Sequence, residues 1–257
     1  MKLLRLTKEK NVAVVTINHE PANALSSNVL KELSILLDSI EQDDQVRAVV
    51  LHGEGRFFSA GADIKEFVTV SSDGEFSKLA EEGQKIFERI ENFPKPIIAA
   101  IHGAALGGGL ELAMSCHLRI VTEDAKLGLP ELQLGIIPGF GGTQRLPRYI
   151  GRGRALEMMV TSEPILGKEA VELGLANHAY PQESMLEEAK KLAGKFAQKS
   201  PGSVKAVISL LNASKISTYE EGMKQEAKLF GELFNSADAK EGITAFIEKR
   251  KPNFTGK

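Results

Sequence analysis

The hydrophobic pattern of this chain divides into short apolar runs and longer amphipathic stretches. Val12-Ala13-Val14-Val15-Thr16-Ile17 is β-branched and unbroken, which predicts a strand. After a turn around Pro21, Ser26 or Ser27 can cap a helix with apolar positions Leu30, Leu33, Leu37 and Ile40, three or four apart. Val46 to Leu51 and Pro96 to Ile101 predict two further buried strands, Leu118 to Val121 a fourth, and Asn177 to Tyr180 a brief fifth. Between them, Phe76, Leu79, Ile86, Phe87 and Ile90 mark a helix, and Leu110 to Cys116 reads as a buried one. Lys126 to Thr143 has too many glycines and prolines for a long helix. It reads as ordered loop turning helical near Gly142, with Gly151 ending that helix. From Gly153 onward the pattern is helical, with amphipathic helices at Ser184–Lys199, Ser203–Asn212, Tyr219–Phe234 and Asp238–Lys249. Strand, turn and helix thus recur through the first two-thirds, and the last third is helical. The class is α/β, with its best candidate break at Ser200-Pro201-Gly202.

Composition narrows the picture by exclusion. The 257 residues are 42% hydrophobic and 26% charged, ordinary for a globular chain that can bury a sizeable core. A formal net charge of −2 gives no global field for nucleic acid or an anionic membrane. No apolar run reaches membrane length, and the first ten residues lack a continuous apolar leader segment. The one cysteine, Cys116, cannot form an internal disulfide and reads as a buried thiol. The expected setting is soluble, reducing and cytoplasmic.

Candidate chemistry concentrates between Ile98 and Leu146. There the strand ending at Ile101 runs through His102-Gly103-Ala104-Ala105-Leu106 into Gly107-Gly108-Gly109, and then into the apolar helix carrying Glu111. Such glycines permit a tight turn and close approach of a ligand to backbone N–H groups. Neither a Walker A sequence nor a dinucleotide fingerprint is present, because the spacing fails in both glycine clusters. A second turn, Ala60-Gly61-Ala62, follows a different strand, and two such turns can aim two N–H groups at one oxygen as an oxyanion hole. Glu111 and Glu131 both sit among apolar neighbours, where a carboxylate needs a partner or a raised pKa. Two such groups suit general acid–base work on a small molecule or on water. The five histidines show no metal spacing; His102 and His117 read as structural, and no metal is expected. At the C-terminus, Phe254 lies among Lys249, Arg250, Lys251 and Lys257. That is either a solvated basic tail or a clamp for a polyphosphate with an aromatic on its base.

With these residues assembled, the sequence resembles the crotonase superfamily, and within it the enoyl-CoA hydratases. The resemblance spans the chain. It is most specific in Phe58-Ser59-Ala60-Gly61-Ala62-Asp63-Ile64-Lys65-Glu66, in His102-Gly103 through Glu111-Leu112-Ala113, and in Pro130-Glu131 through Pro138-Gly139-Phe140-Gly141-Gly142-Thr143-Gln144-Arg145-Leu146. It implies a crotonase-like spiral of ββα turns over residues 1–200 and a C-terminal helical oligomerisation region over 201–257. It implies the N–H groups of Ala62 and Gly108 as oxyanion donors and Glu111 and Glu131 as the catalytic pair. Glu111 would activate water and Glu131 supply the α-proton, although both could hold the same water. Ala60, Gly61, Asp63 and Ile64 would meet the CoA, Gly139 would approach the thioester, and Phe254 and Lys257 would reach a neighbouring subunit's ligand. Phe67, Phe76 and Leu79 would line the acyl pocket around a mobile loop at Thr69–Gly74. The expected partners are an acyl-CoA substrate and further copies of the chain, as a homotrimer or dimer of trimers, without nucleic acid or membrane. No cofactor is expected, because the CoA thioester is itself the substrate.

Members of that superfamily perform several reactions on one scaffold, so fold does not determine chemistry. The two glutamates select hydration of 2-enoyl-CoA thioesters to 3-hydroxyacyl-CoA, as in fatty acid β-oxidation. The alternatives are a Δ3,Δ2-enoyl-CoA isomerase, a branched-chain hydratase of the methylglutaconyl type, and a non-enzymatic acyl-CoA or RNA-binding protein.

Overall fold

The computed structural model describes residues 1–67 and 73–257, and the side chains of these except 67 and 73–76. The side chains of the expected pocket residues Phe67 and Phe76, and residues 69–72 of the loop expected at 69–74, lie outside what is described, while Asp73 and Gly74 open a helix instead. The chain opens on a hairpin, β1 (Leu4–Glu9) and β2 (Val12–Ile17), paired antiparallel from Leu4↔Ile17 to Glu9↔Val12. β2 is buried at all six positions. That requires cover on both faces, and it explains why its apolar run shows no alternation.

The helix α1 (Ser27–Gln42) follows, its N-cap Ser26 accepting the Val29 N–H, and it buries Val29, Leu30, Leu33, Leu36, Leu37 and Ile40. Such a cap contributes about 1 kcal/mol. Next come β3 (Ala48–Gly53), the short α2 (Ile64–Phe67), α3 (Asp73–Glu91), β4 (Ile97–Ile101), β5 (Ala104–Leu106) and α4 (Gly108–Ser115). They are followed by β6 (Leu118–Thr122), β7 (Lys126–Gly128), a 3₁₀ turn over Glu131–Leu134, α5 (Gly142–Ile150) and α6 (Arg152–Thr161). β8 (Ile165–Leu166), α7 (Gly167–Glu172), β9 (His178–Tyr180) and α8 (Gln182–Phe196) complete the part that precedes three last helices.

The strands form two sheets. The larger runs β1-β2-β3-β4-β6-β9, parallel after the first pair, and the smaller runs β5-β7-β8. Two isolated parallel bridges, Ser59↔Ala105 and Leu25↔Ala62, extend the smaller sheet backwards through the chain. Each turn therefore contributes one long strand, one short strand or bridge, and then a helix. This is the expected ββα spiral.

Alternate residues of the long strands enter different cores. Ala13, Val15, Ile17, Val49, Leu51, Ile97 and Ala99 join α1, Phe87 and Ile90 of α3, and α4. Val12, Val14, Ala48, Val50, Ile98 and Ala100 meet Met185, Ala189 and Ala193 of α8 on the opposite face.

Two expectations need correction. The stretch from Lys126 to Thr143 is not all loop: it holds β7 and the 3₁₀ turn. The helical reading after Gly153 is interrupted by β8. These strands are three and two residues long, too short for any periodicity, and they form because neighbouring turns of the spiral supply hydrogen-bond partners. β1, a half-exposed edge with Arg5, Lys8 and Glu9, carries little hydrophobic signal either.

The last helices are α9 (Pro201–Ala213), α10 (Tyr219–Phe234) and α11 (Ala237–Ile247), and α9 begins at the expected break, with Pro at its first position. α10 has a Thr218–Glu221 capping box and no buried residue. Its Tyr219, Met223, Phe230 and Phe234 are exposed. The tail is tied down instead: buried Asp238 accepts the N–H groups of Thr255 at 2.7 Å and Gly256 at 3.0 Å, and Arg47 Nη2 donates to the Phe254 carbonyl at 2.8 Å.

Candidate active site

The site forms where the mouth of α4 meets the segment after β3. Gly107 donates its N–H to the Gly128 carbonyl and accepts those of Leu110 and Glu111, which starts the helix. Its φ of 52° and ψ of −128° lie where a side chain is strained, so glycine is required there. Two residues on, Gly109 permits a close crossing, since a Cβ on it would stand 2.4 Å from the Ser59 carbonyl oxygen. Ser59 is fully buried and stitches the crossing: its N–H donates to the Ala104 carbonyl, its carbonyl accepts the Leu106 N–H, and its hydroxyl donates to the Asn23 carbonyl.

This crossing brings the two expected oxyanion donors together. A Cβ built on Gly108 would lie 3.3 Å from Ala62 N, and one on Gly61 would lie 3.6 Å from Gly108 N. At the Leu25↔Ala62 bridge the bonds run from Leu25 N–H to the Gly61 carbonyl and from Asp63 N–H to the Leu25 carbonyl. Ala62's own N–H therefore points the other way, toward α4. Gly108 is the first residue of α4, where an N–H has no intrahelical acceptor. Neither N–H has a hydrogen-bond partner among the described residues.

Glu111 lies in the first turn of α4, only 1% exposed. Its Oε1 accepts the N–H groups of Phe140 at 2.8 Å and Gly142 at 2.7 Å. Burial pushes the carboxyl up to about 7, with the nearby Glu131 adding to the rise and the two N–H donors and Arg145 opposing it. Glu131 opens the 3₁₀ turn after Pro130, and its Oε1 stands 3.1 Å from where a Gly107 Cβ would be. Its Oε2 is buried without a hydrogen-bond partner, an arrangement that needs a functional explanation. Burial raises this carboxyl as well. Two carboxyl groups raised by burial beside two unused N–H donors can bind a developing oxyanion and exchange protons with a neighbouring atom.

These groups line one cavity of about 380 Å³, together with Ala60, Gly61, Ile64, Leu79 and Gly139. Pro130, Leu134, Ile136, Ile137 and Phe140 also line it and were not anticipated. The signal that points to them is a set of apolar residues in a stretch rich in glycine and proline and without helical periodicity, and the structure leaves Ile137 70% and Leu134 57% exposed. Asp63 stays outside, its carboxylate accepting the Lys65 N–H at the start of α2. Phe254 and Lys257 are not brought to this cavity: Phe254 packs on Gly242 of α11, and Lys257 borders a separate cavity with Arg47 and Lys95. His117 Nδ1 accepts the Ile97 N–H and His102 Nε2 meets the Gly55 carbonyl, structural roles for both. Among the described residues no helix is long and apolar enough to cross a membrane, and no three His, Cys, Asp or Glu side chains cluster as metal ligands.

Comparison with known proteins extends over the same length. A Bacillus subtilis (strain 168) protein named "Probable enoyl-CoA hydratase" is 61% identical over 257 residues, covering all of both chains. The Short-chain-enoyl-CoA hydratase of Clostridium acetobutylicum is 44% identical over 248 residues, 96% of this chain and 95% of that one. The crystal structure of an enoyl-CoA hydratase from Bacillus anthracis superposes with a TM-score of 0.95 at 37% identity, covering 99% of this chain and 100% of that one. The family model described as Enoyl-CoA hydratase/isomerase matches residues 7–257, which includes every residue lining the cavity. The chain belongs to the enoyl-CoA hydratase/isomerase family.

Proposed function

We propose that the protein is an enoyl-CoA hydratase, adding water across the 2,3 double bond of a 2-enoyl-CoA to give the 3-hydroxyacyl-CoA. The observation that carries this reading is the meeting of two raised carboxyls with two unpartnered N–H groups in one apolar cavity. The thioester oxygen sits against the N–H groups of Ala62 and Gly108, each such donor being worth roughly 3 kcal/mol as negative charge develops there. Glu111, whose Oε1 is fixed by two N–H groups, takes a proton from water through its other oxygen. The resulting hydroxide bonds to the β-carbon, and Glu131 gives its proton to the α-carbon. Proton exchange through the product and solvent restores both groups. Ala60, Gly61 and Ile64 line the path toward the CoA, Leu79 and Ile137 meet the acyl chain, and the thioester chemistry needs no cofactor. A 380 Å³ cavity suits a short chain, in keeping with the name of the Clostridium relative. Purified protein should hydrate crotonyl-CoA readily and convert 3-enoyl-CoA to 2-enoyl-CoA much more slowly. The reverse ranking would make it an isomerase, and neither activity would leave a binding protein.

The same reading places a cytoplasmic assembly on residues 201–257. Exposed Tyr219, Met223, Phe230 and Phe234 give α10 an apolar face of the kind that another copy of the chain can cover. A homotrimer or dimer of trimers is expected in sedimentation at micromolar concentration, and Phe254 and Lys257 would then serve a neighbour's ligand. A monomer throughout would contradict this.

A further inference from the structure

The turn that holds Glu111 is itself held from outside the cavity. Arg145 of α5 is buried, and its Nη1 donates to the Phe140 carbonyl at 2.8 Å. Its Nε and Nη2 donate to Oε2 of Glu91, at the end of α3, at 3.2 and 3.1 Å. The other Glu91 oxygen accepts Lys215 Nζ, just beyond α9. Burial alone would raise Glu91, but Lys215 and Arg145 outweigh it and hold this carboxyl below its ordinary range, so the fork is charged on both sides.

Phe140 is thus pinned at both ends of its backbone, its carbonyl on Arg145 and its N–H on Glu111. Its ring is wedged as well. A Cβ on Gly83 would stand 2.4 Å from the ring and one on Gly108 3.2 Å from it, while Phe87 meets it edge-on at 5.3 Å. With the ring fixed, the peptide plane before Phe140 is held by Gln84 Nε2, which donates to the Gly139 carbonyl at 2.8 Å, and the plane after it by the guanidinium.

We propose that Arg145 is a positioning residue for Glu111: clamped by Glu91, it holds the 140–142 turn so that two N–H donors meet Oε1 and the second oxygen stays turned to the cavity. This rests on the reading of Glu111 as the group that takes the proton from water. Of the elements packed on α4, the 3₁₀ turn presents Glu131, α5 presents Arg145 with Glu91 of α3 behind it, and β5 offers no titratable group. β6 carries Arg119, which is occupied at the far end of α4 by the carbonyls of Ala113 and Cys116. The cation and the two N–H donors both favour the carboxylate form of Glu111 against burial. Loss of the guanidinium removes the first and loosens the second, so less base remains at a given pH.

The test compares wild type, Arg145→Met and Arg145→Lys in hydration of crotonyl-CoA across pH, with melting temperatures. Arg145→Met should lower kcat on the order of ten- to a hundredfold, as small misplacements do, with KM changed far less. The acid limb of its kcat profile should move up by about one unit, as for a lost opposite charge. Arg145→Lys keeps the cation but not the fork, so its acid limb should stay near wild type while kcat still falls. A lowered melting temperature with the acid limb unmoved in Arg145→Met would reduce the residue to a structural role and overturn the proposal. Should Arg145→Met not fold, wild-type kcat in Arg145→Lys would overturn it. Wild type that does not hydrate crotonyl-CoA would instead sink the hydratase reading itself, and this inference with it.

Discussion

Glu111→Gln and Glu131→Gln should each lower kcat for hydration of crotonyl-CoA by roughly 10²-fold or more, the loss expected when a general acid or base can no longer exchange a proton. Shape and hydrogen-bonding capacity survive in both, so KM should move little. The double variant should be far less damaged than the product of the singles, because groups that act on one substrate as a unit are non-additive. An isomerase would behave differently, with one of the two variants still shifting a double bond at near wild-type rate.

The same Glu111→Gln variant makes a second, independent statement through stability. The Glu111 carboxyl stands at about 7 in the folded protein against an ordinary 4.5. The folded state therefore binds a proton that the unfolded chain has released between those values. Stability from this group grows as pH falls from about 7 to 4.5, and the group is a liability above 7, on the order of 3 kcal/mol. Gln removes the liability while its carbonyl still accepts the Phe140 and Gly142 N–H groups. The variant should melt above wild type at pH 8, and the gap should narrow toward pH 5. A variant that is inactive and also melts lower at both pH values would make Glu111 a packing residue.

How much of this was legible beforehand depends on what each feature leaves in the chain. β2, β3, β4 and β6 are buried on both faces, so they appear as unbroken apolar runs, and α1 and α8 show their cores by spacing. β5, β7 and β8 leave no such trace, since Ala104-Ala105-Leu106 or Ile165-Leu166 become strands only when a neighbouring turn offers them a partner. Glu111, Glu131, Ala62 and Gly108 stood out because a carboxylate among apolar residues and a glycine turn after a strand are unusual locally. The support around them was silent. The N–H groups of Phe140 and Gly142 are backbone atoms that any residue but proline would carry, and Arg145 lies 34 positions from Glu111 in the sequence, reaching it only through the fold. At the C-terminus, the composition around Phe254 leaves a solvated basic tail and a ligand clamp both open, and it could not show that Arg47 and Asp238 of the same chain hold that tail.

Gly109→Ala should be the most damaging single methyl group near the site. The added carbon would stand 2.4 Å from the Ser59 carbonyl oxygen and 2.8 Å from the Ser59 Cβ. Backbone lies on the far side, so no flexible side chain can swing away, and α4 and the 59–62 segment must separate. Overpacking of this kind costs about 1–3 kcal/mol, which exceeds the roughly 1 kcal/mol that alanine gains over glycine within a helix. The larger consequence is geometric. Ala62 N–H sits on the segment that moves and Gly108 N–H on the helix it moves from, so the pair can no longer point at one oxygen. Loss of one oxyanion donor lowers kcat about 10²–10³-fold, and that fall is expected here with both glutamates intact. Gly194→Ala supplies the contrast, because it lies inside α8 with nothing within 4 Å of the new carbon. That variant should melt slightly higher than wild type with unchanged kcat. Should Gly109→Ala keep wild-type kcat at a temperature where it remains folded, the two N–H groups would not be acting together on the thioester oxygen.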